Sequence, residues 1–89
     1  MQDKLIIKYI KIKNQKGMEM LIDNYNSLLT SVVRVHLSSL ANYEDECVSD
    51  TLLAIWDNIN GFNSEKNSFK NWICAIAKYK AIDYKRKYL

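Results

Sequence analysis

Basic and aromatic side chains are concentrated in the last third of the chain. Residues 66–89 carry six lysines and Arg86 against one acid, Asp83, which gives this segment a net charge of +6. Ammonium and guanidinium groups bind phosphates and release counterions, and aromatic rings such as those of Trp72 and Tyr79 stack on unpaired bases. The combination indicates a nucleic-acid-binding surface. The alternative is that the charges only complement the carboxyl end of a helix.

The middle of the chain has the opposite charge. Residues 19–65 carry eight acidic side chains against Arg34 alone, a net charge of −7, although the whole chain has a net charge of +3. Asp50 and Asp57 lie beyond the first turn of their predicted helix, so the helix dipole does not account for them. This segregation predicts an acidic surface for a basic partner beside the basic one. A solvated helix face is the alternative.

Catalytic and metal-binding patterns are missing from the sequence. It contains no GxSxG, no HExxH and no glycine-rich phosphate loop. Cys47 and Cys74 lack CxxC spacing, and His36 has no partner at metal-ligand spacing. We therefore predict no enzyme activity, no metal and no cofactor.

Length and composition predict one all-α domain over residues 1–89. A chain of 89 residues is too short for two cores, and zero prolines with two glycines favour helices joined by few turns. The sequence has no apolar run of the roughly 20 residues that a transmembrane helix needs, and no signal-peptide pattern. Two cysteines without a pairing pattern suit reduced thiols. We expect a cytoplasmic protein with no membrane insertion.

The apolar periodicity predicts a compact three- to four-helix bundle. The four helices are expected at about 4–13, 18–40, 42–60 and from 68 to the end of the chain. Gly17 is expected in the first turn, where it supplies a permissive backbone. Asn42 and Ser68 are the predicted N-caps of the third and fourth helices.

Two of these helices and the loop between them resemble region 2 of bacterial RNA polymerase sigma factors of the extracytoplasmic-function (ECF) type. Residues 44–56, EDECVSDTLLAIW, are similar to the family's acidic "EDLVQETFLRVW" helix. Residues 69–86 are similar to its "FRxWLxxIAxNxAxDxxR" helix, and residues 62–69 to its "FDPERGSF" loop. The three elements occur in the family's order and spacing, and the resemblance extends over about residues 3–88.

The resemblance implies that the third helix docks on the coiled-coil clamp helices of the polymerase β′ subunit. An acidic face suits a basic partner helix, and complementary charge gives steering and register. Ser49 stands where the family usually has Gln, which shortens the reach to the clamp. The residues expected at this contact are Asp45, Glu46, Ser49, Asp50, Leu53 and Trp56.

The resemblance also implies that the loop and the fourth helix recognise and melt the promoter −10 element. In the family the loop captures a base flipped from the duplex, which costs a few kcal/mol of unstacking. Asn67 replaces a Gly expected to need a positive φ, which Asn tolerates. Trp72 has a core-supporting role as its alternative. The expected DNA contacts are Asn63, Lys66, Asn67, Ser68, Lys70, Asn71, Trp72, Lys78, Tyr79 and Arg86.

The expected domain organisation is a single region 2 domain over residues 1–89, without the helix-turn-helix region that reads the −35 element. The expected partners are core RNA polymerase, promoter DNA and an anti-sigma factor that masks the charged faces. Two other functions remain open at this point. One is a helical protein-interaction bundle, and the other is a generic DNA-binding module with no polymerase role.

Overall fold

A computed structural model describes residues 2–89, and over this range the fold consists of helices and connecting turns without a strand. The predicted all-α bundle is confirmed. The α-helices are α1 (Gln2–Lys11), α2 (Gln15–Leu37), α3 (Glu44–Asp57) and α4 (Phe69–Tyr88), with short 3-10 helices at Ala41–Tyr43 and Ile59–Gly61. Between Gln2 and the end of the chain, none of these helices has both the length and the apolar character that crossing a bilayer requires.

The long helix α2 is the centre of the bundle, and α1, α3 and α4 all pack against it. Every α-helix contributes side chains with no exposed surface to one continuous core. Fully burying a large aliphatic side chain is worth about 1.5–3 kcal/mol, so this core holds the outer helices in place. Its largest fully buried side chains are Ile6, Ile10, Leu21, Leu29, Val33, Leu37, Cys47, Thr51, Ile55, Ile59 and Ile73.

The turn between α1 and α2 differs from the one expected. Gly17 lies inside α2 and is buried, whereas the residue with a positive φ is Lys13, at 57°. The Asn14 side chain caps α2 by accepting a hydrogen bond from the Lys16 N–H at 2.9 Å. A Cβ on Gly17 would lie 2.8 Å from the backbone nitrogen of Ile10. Gly17 is therefore needed for the close approach of the two helices, and its predicted place in the turn was wrong.

The start of α3 also differs from the prediction. Asn42 lies in the 3-10 helix, and the N-cap position is occupied by Tyr43, whose side chain makes no capping hydrogen bond. Asn42 was therefore wrongly predicted as the cap, because the 3-10 turn shifts the N-cap position by one residue. Glu44 in the first turn is held by the Arg34 guanidinium, with Nε 2.7 Å from Oε1. This hydrogen bond lowers the pKa of the Glu44 carboxyl.

The start of α4 is the predicted one. The Ser68 hydroxyl accepts a hydrogen bond from the Asn71 N–H at 3.1 Å, which is the N-cap interaction. α4 then runs to Tyr88 and buries one side, while its other side faces solvent. The sequence therefore predicted the start of the helix that carries most of the predicted DNA contacts.

Candidate functional site

One face of α3 is acidic and open to solvent. Its buried side faces the core through Cys47, Val48, Thr51 and Ile55. At about 100° of rotation per residue, Leu53 lies opposite this buried side, and its side chain is 55% exposed. Asp45, Glu46 and Ser49 are also exposed. Four of the six predicted polymerase contacts, Asp45, Glu46, Ser49 and Leu53, thus form one exposed surface, which we call the α3 face.

Asp50 lies at the edge of the α3 face and is tied to α4. Its carboxylate accepts a hydrogen bond from the Tyr84 hydroxyl at 2.5 Å. Burial, and next this hydrogen bond, raise the pKa of the Tyr84 phenol above its ordinary value of 10.0. Asp50 therefore has a structural role in joining the two helices. When a partner contacts α3, one oxygen of this carboxylate already accepts the Tyr84 hydrogen bond.

A cleft of about 210 Å³ between α3 and α4 brings both charges together. Glu46 and Asp50 line it from α3, and Lys80 and Lys87 line it from α4. Over residues 2–89, neither lysine comes within ion-pair distance of these acids. The cleft therefore places Glu46 and Asp50 beside Lys80 and Lys87, on the side of α4 that faces α3.

Trp56, the last predicted polymerase contact, is half-buried and packed against the turn between α1 and α2. The Lys13 ammonium donates a hydrogen bond to the Trp56 carbonyl oxygen at 2.5 Å and lies 5.0 Å from the centre of its ring. A cation over an aromatic face is attracted by the ring electrons. This contact also places a positive charge at the carboxyl end of α3, where the helix dipole favours it.

The outward side of α4 carries the basic and aromatic residues predicted to contact DNA. Tyr79 is 62% exposed, and Lys78 and Arg86 are exposed beside it. Lys78 and Lys80 are separated by about 200° around the helix, so Lys78 points away from the cleft that Lys80 lines. Arg86 has only a 4.0 Å ion pair with Asp83, which is weak at such exposure. We call Asn71, Lys78, Tyr79 and Arg86 the α4 face.

The loop before α4 is ordered by its own side chains. The Asn63 side-chain oxygen accepts from the Glu65 N–H, and that of Asn67 accepts from the Ser68 N–H, both at 2.9 Å. The Asn63 carbonyl accepts from the backbone N–H groups of Lys66 and Asn67. These bonds close the loop with a negative φ at Asn67, so its predicted positive φ was wrong. The predicted loop and cap residues Asn63, Lys66, Asn67 and Ser68 are all exposed, as is Lys70 in the first turn of α4.

Trp72 supports this loop from below. Its half-buried ring lies 5.3 Å from the ring of Phe62 and 6.2 Å from that of Phe69. Tyr25 of α2 meets Phe69 edge to face at 5.9 Å. Aromatic pairs at such distances each add about 0.5–1.5 kcal/mol beyond burial. Trp72 therefore occupies a core-supporting position, which was the stated alternative to a DNA contact. Its side chain is only half-buried.

A second aromatic group was not predicted from the sequence. Tyr43 stacks on Tyr88 with ring centres 4.2 Å apart, and Tyr84 lies 5.9 Å from Tyr88. The spacing of Tyr84 and Tyr88 places both on one side of α4, which is a signal that the sequence contains. The contribution of Tyr43 depends on how the 3-10 turn docks, which local sequence does not encode.

Between Gln2 and Leu89, no group of three or more His, Cys, Asp or Glu side chains is arranged to hold a metal ion. The thiol of Cys47 is buried, and this burial raises its pKa to about 11. A thiol with such a pKa is protonated at neutral pH and is a poor nucleophile.

Comparison with known protein families gives one match. The family model described as Sigma-70 region 2 matches residues 21–88, well over half of the chain. The match includes α3, the loop and α4, and it begins after α1. No curated protein and no solved structure matches the chain. The chain belongs to the sigma-70 region 2 family, whose members act in core RNA polymerase binding and promoter melting.

Proposed function

We propose that this domain is the region 2 module of an ECF-type sigma factor that acts in the cytoplasm. Its α3 face binds the β′ clamp helices of core RNA polymerase. Its loop and α4 face recognise and melt the promoter −10 element. The observation that carries the proposal is the separation of an exposed acidic face on α3 from an exposed basic and aromatic face on α4.

The chemistry of the α3 face suits a basic helical partner. Asp45 and Glu46 supply negative charge near an exposed apolar side chain, Leu53. A buried apolar contact surrounded by charges is the usual plan of a specific interface. Complementary charge raises the association rate and sets the register, while the apolar contact supplies affinity. Ser49 leaves room beside Leu53 for a side chain of the partner.

The chemistry of the α4 face suits opened DNA strands. Lys78 and Arg86 bind phosphates, and the exposed ring of Tyr79 provides a surface for base stacking. The side-chain oxygens of Asn63 and Asn67 are used inside the loop, so their amide N–H groups are the ones directed to a base or phosphate. The loop is held in shape before DNA arrives, which lowers the entropy cost of capturing a flipped base.

The polymerase contact is tested by capturing core RNA polymerase on the immobilised domain. Leu53→Arg places a cation in the α3 face and is expected to weaken capture at least tenfold, which corresponds to about 1.4 kcal/mol. Val35→Arg is the matched control, since Val35 is 74% exposed on α2 and receives the same change. Equal capture by the two variants would remove the α3 face from the proposal.

The DNA contact is tested with a fluorescent single-stranded oligonucleotide that carries a −10 sequence. Binding is measured as salt concentration rises, and a negative log–log slope of about 0.7 per phosphate contact is expected. Tyr79→Leu keeps a large apolar side chain but removes the stacking surface, so it is expected to weaken binding without changing the slope. A flat salt response of the unaltered domain would favour a helical protein-interaction bundle instead.

The same two faces give an anti-sigma factor its target. A protein that covers both the acidic face of α3 and the basic face of α4 would block polymerase and DNA at once. The cleft between the two helices borders the α3 face through Glu46, and its walls carry both signs of charge.

A further inference from the structure

The outward side of α1 combines exposed aliphatic side chains with lysines. Ile6 and Ile10 are fully buried and mark the side of this helix that faces the core. At about 100° of rotation per residue, Lys8 lies on the opposite side of α1. Leu5 and Ile12 lie on one flank of Lys8, and they are 44% and 64% exposed. The side of α1 that faces solvent is therefore partly apolar.

Leu5 and Ile12 form one row along α1, which we call the apolar row. Ile12 directly follows the last residue of α1, and its N–H donates a hydrogen bond to the Lys8 carbonyl at 3.3 Å, so it continues the turn of the helix. Residues seven apart in a helix are separated by about 20° of rotation and about 10.5 Å along the axis. The two side chains therefore project in nearly the same direction, away from the core.

Lysines border the apolar row on both sides. Lys4, Lys8 and Lys11 are exposed and lie on one side of it. Tyr9 lies on the other side and is half-buried, and the ammonium of the exposed Lys16 is 5.9 Å from the centre of its ring. Among the residues that the structure describes, none of these four lysines forms an ion pair. The apolar row therefore lies between two sources of positive charge.

The acids of α1 and α2 do not neutralise these lysines. The Asp3 carboxylate accepts a hydrogen bond from the Tyr25 hydroxyl at 2.6 Å. Gly17 marks the side of α2 that contacts α1, because a Cβ there would meet that helix. Glu19 and Asp23 are rotated by about 160° and about 120° from Gly17, so they point to other sides of α2. The first eighteen residues contain five lysines and one acid, a net charge of +4.

An apolar row between lysines is the composition of helices that lie in a lipid interface. Their apolar side chains enter the boundary between headgroups and acyl chains, and their lysines reach anionic headgroups. Lysine stems are apolar and long enough to lie along such a surface while the ammonium stays in water. A nucleic acid would use the lysines but would leave Leu5 and Ile12 without apolar contact. Charge complementarity and the exposed row together favour an anionic bilayer surface.

We propose that α1 docks the domain on an anionic lipid surface, with the apolar row in the interface and the four lysines on lipid phosphates. The contact is peripheral, because the helix lies flat on the surface and does not cross it. The contact uses neither the α3 face nor the α4 face, and α1 lies outside residues 21–88, which the family model matches. The inference therefore does not depend on the proposed function.

The first test is co-sedimentation of the 89-residue domain with vesicles of equimolar phosphatidylglycerol and phosphatidylcholine. We expect binding to these vesicles and none to vesicles of phosphatidylcholine alone. Ile12→Asp should weaken binding by roughly tenfold or more, because it removes an apolar side chain from the interface and adds a negative charge. Equal binding by Ile12→Asp and the unaltered domain would overturn the proposal.

Val35→Asp is the matched control for this variant. Val35 is 74% exposed on α2 and lies about 27 Å along that helix from Gly17, which contacts α1. Val35→Asp adds the same charge at a distant exposed apolar position, so it should bind vesicles nearly as well as the unaltered domain. Circular dichroism checks that both variants keep their helix content. An equal loss of binding in both variants would mean that the effect comes from net charge and not from α1.

The second test separates lipid from DNA. The double variant Lys8→Gln, Lys16→Gln is compared with Lys66→Gln, Lys78→Gln, which removes equal charge from the loop and α4. The first pair should weaken vesicle binding by about fivefold for each lysine and keep single-stranded DNA binding. The second pair should weaken DNA binding and affect vesicle binding less. If the first pair loses vesicles and DNA to the same extent, α1 is a general polyanion surface and the lipid proposal is wrong.

The third test locates the apolar row in the interface. Isoleucine methyl groups are labelled with ¹³C, and the domain is added to bicelles of the same two lipids with a spin label in the acyl chain. The Ile12 methyl signal should broaden, whereas that of Ile22, which is 40% exposed on α2, should not. An unbroadened Ile12 signal in bound protein would contradict the proposal. If the domain self-associates without lipid and Ile12→Asp abolishes this, the row binds a second copy, and the lipid proposal falls.

The two proposals fail in different ways. If the domain binds no vesicles but still captures polymerase and single-stranded DNA, the lipid contact falls and the proposed function stands. If Lys66→Gln, Lys78→Gln leaves DNA binding unchanged while Ile12→Asp loses vesicles, the DNA part of the proposed function falls and the lipid contact stands.

Discussion

Replacing Gly17 with alanine should destabilise the domain even though alanine is the better helix former. A Cβ at this position would lie 2.8 Å from both the backbone nitrogen and Cγ1 of Ile10, and 3.0 Å from the Tyr9 Cβ. Ordinary contacts of a Cβ begin at 3.4 Å, so α1 and α2 would have to separate by several tenths of an ångström. The obstacle includes backbone, so a change of side-chain rotamer cannot relieve it.

The expected magnitude follows from two opposing terms. Overpacking a well-filled interior costs about 1–3 kcal/mol, and the upper half of that range applies because backbone atoms must move. Replacing Gly by Ala in a helix interior recovers about 1 kcal/mol. The free energy of unfolding should therefore fall by about 1–2 kcal/mol. With a urea m-value near 1 kcal/mol/M for a domain of this size, the midpoint should move down by about 1 M or more.

Urea unfolding followed by circular dichroism at the helix band measures this shift. Gly61→Ala is the matched control, because a Cβ there meets nothing within 4 Å and the residue has no positive φ. The control should leave the midpoint unchanged or raise it slightly. A midpoint for Gly17→Ala equal to or above that of the unaltered protein would refute the close approach of α1 and α2.

Three further predictions concern single side chains. Ser68→Ala removes the hydrogen bond accepted from the Asn71 N–H and should cost about 1 kcal/mol in urea unfolding. Tyr84→Phe removes the bond to Asp50 and should cost about 1 kcal/mol at neutral pH. Because the folded state raises the pKa of Tyr84, stability falls as pH rises above the unfolded value of 10.0, and the variant should flatten that decline. Cys47 is buried with a pKa of about 11, so its reaction with a thiol reagent should follow unfolding.

Each of these predictions has an outcome that contradicts it. Ser68→Thr keeps a hydroxyl that can accept the hydrogen bond, so it should retain most of the stability. If Ser68→Thr loses as much stability as Ser68→Ala, the capping interaction is excluded. If the stability of Tyr84→Phe falls with rising pH as steeply as that of the unaltered protein, the Tyr84 phenol is not the cause of the decline. If Cys47 is labelled as fast in water as in urea, the thiol is accessible in the folded domain.

The sequence predicted the features that depend on local chemistry. Ser68 has a side chain suited to an N-cap, and the four-residue spacing of Phe69, Ile73 and Ala77 predicted the buried side of α4. Tyr79 lies on the opposite side of that helix, and its exposure follows from the same periodicity. These inferences need only the geometry of one helix.

Features that depend on contact between distant segments were missed. Gly17 was interpreted as a turn residue because nothing in the sequence shows how closely α1 approaches α2. Asp50 was predicted as a polymerase contact, and its bond to Tyr84, which appears only when α3 and α4 are docked, was not predicted. A groove lined by Lys11 of α1 and Phe62 of the loop before α4 likewise requires these two segments to meet. Long-range packing decides such positions, and residue type alone does not.

The central claim is that two oppositely charged faces serve two different partners, and crossed binding measurements test it most directly. Leu53→Arg and Lys78→Glu are each assayed for capture of core RNA polymerase and for binding of the −10 single-stranded oligonucleotide. Leu53→Arg is expected to lose polymerase capture and to keep DNA binding. Lys78→Glu is expected to lose DNA binding and to keep polymerase capture. Loss of both activities in both variants, with the helix content unchanged, would contradict the separation of the two faces.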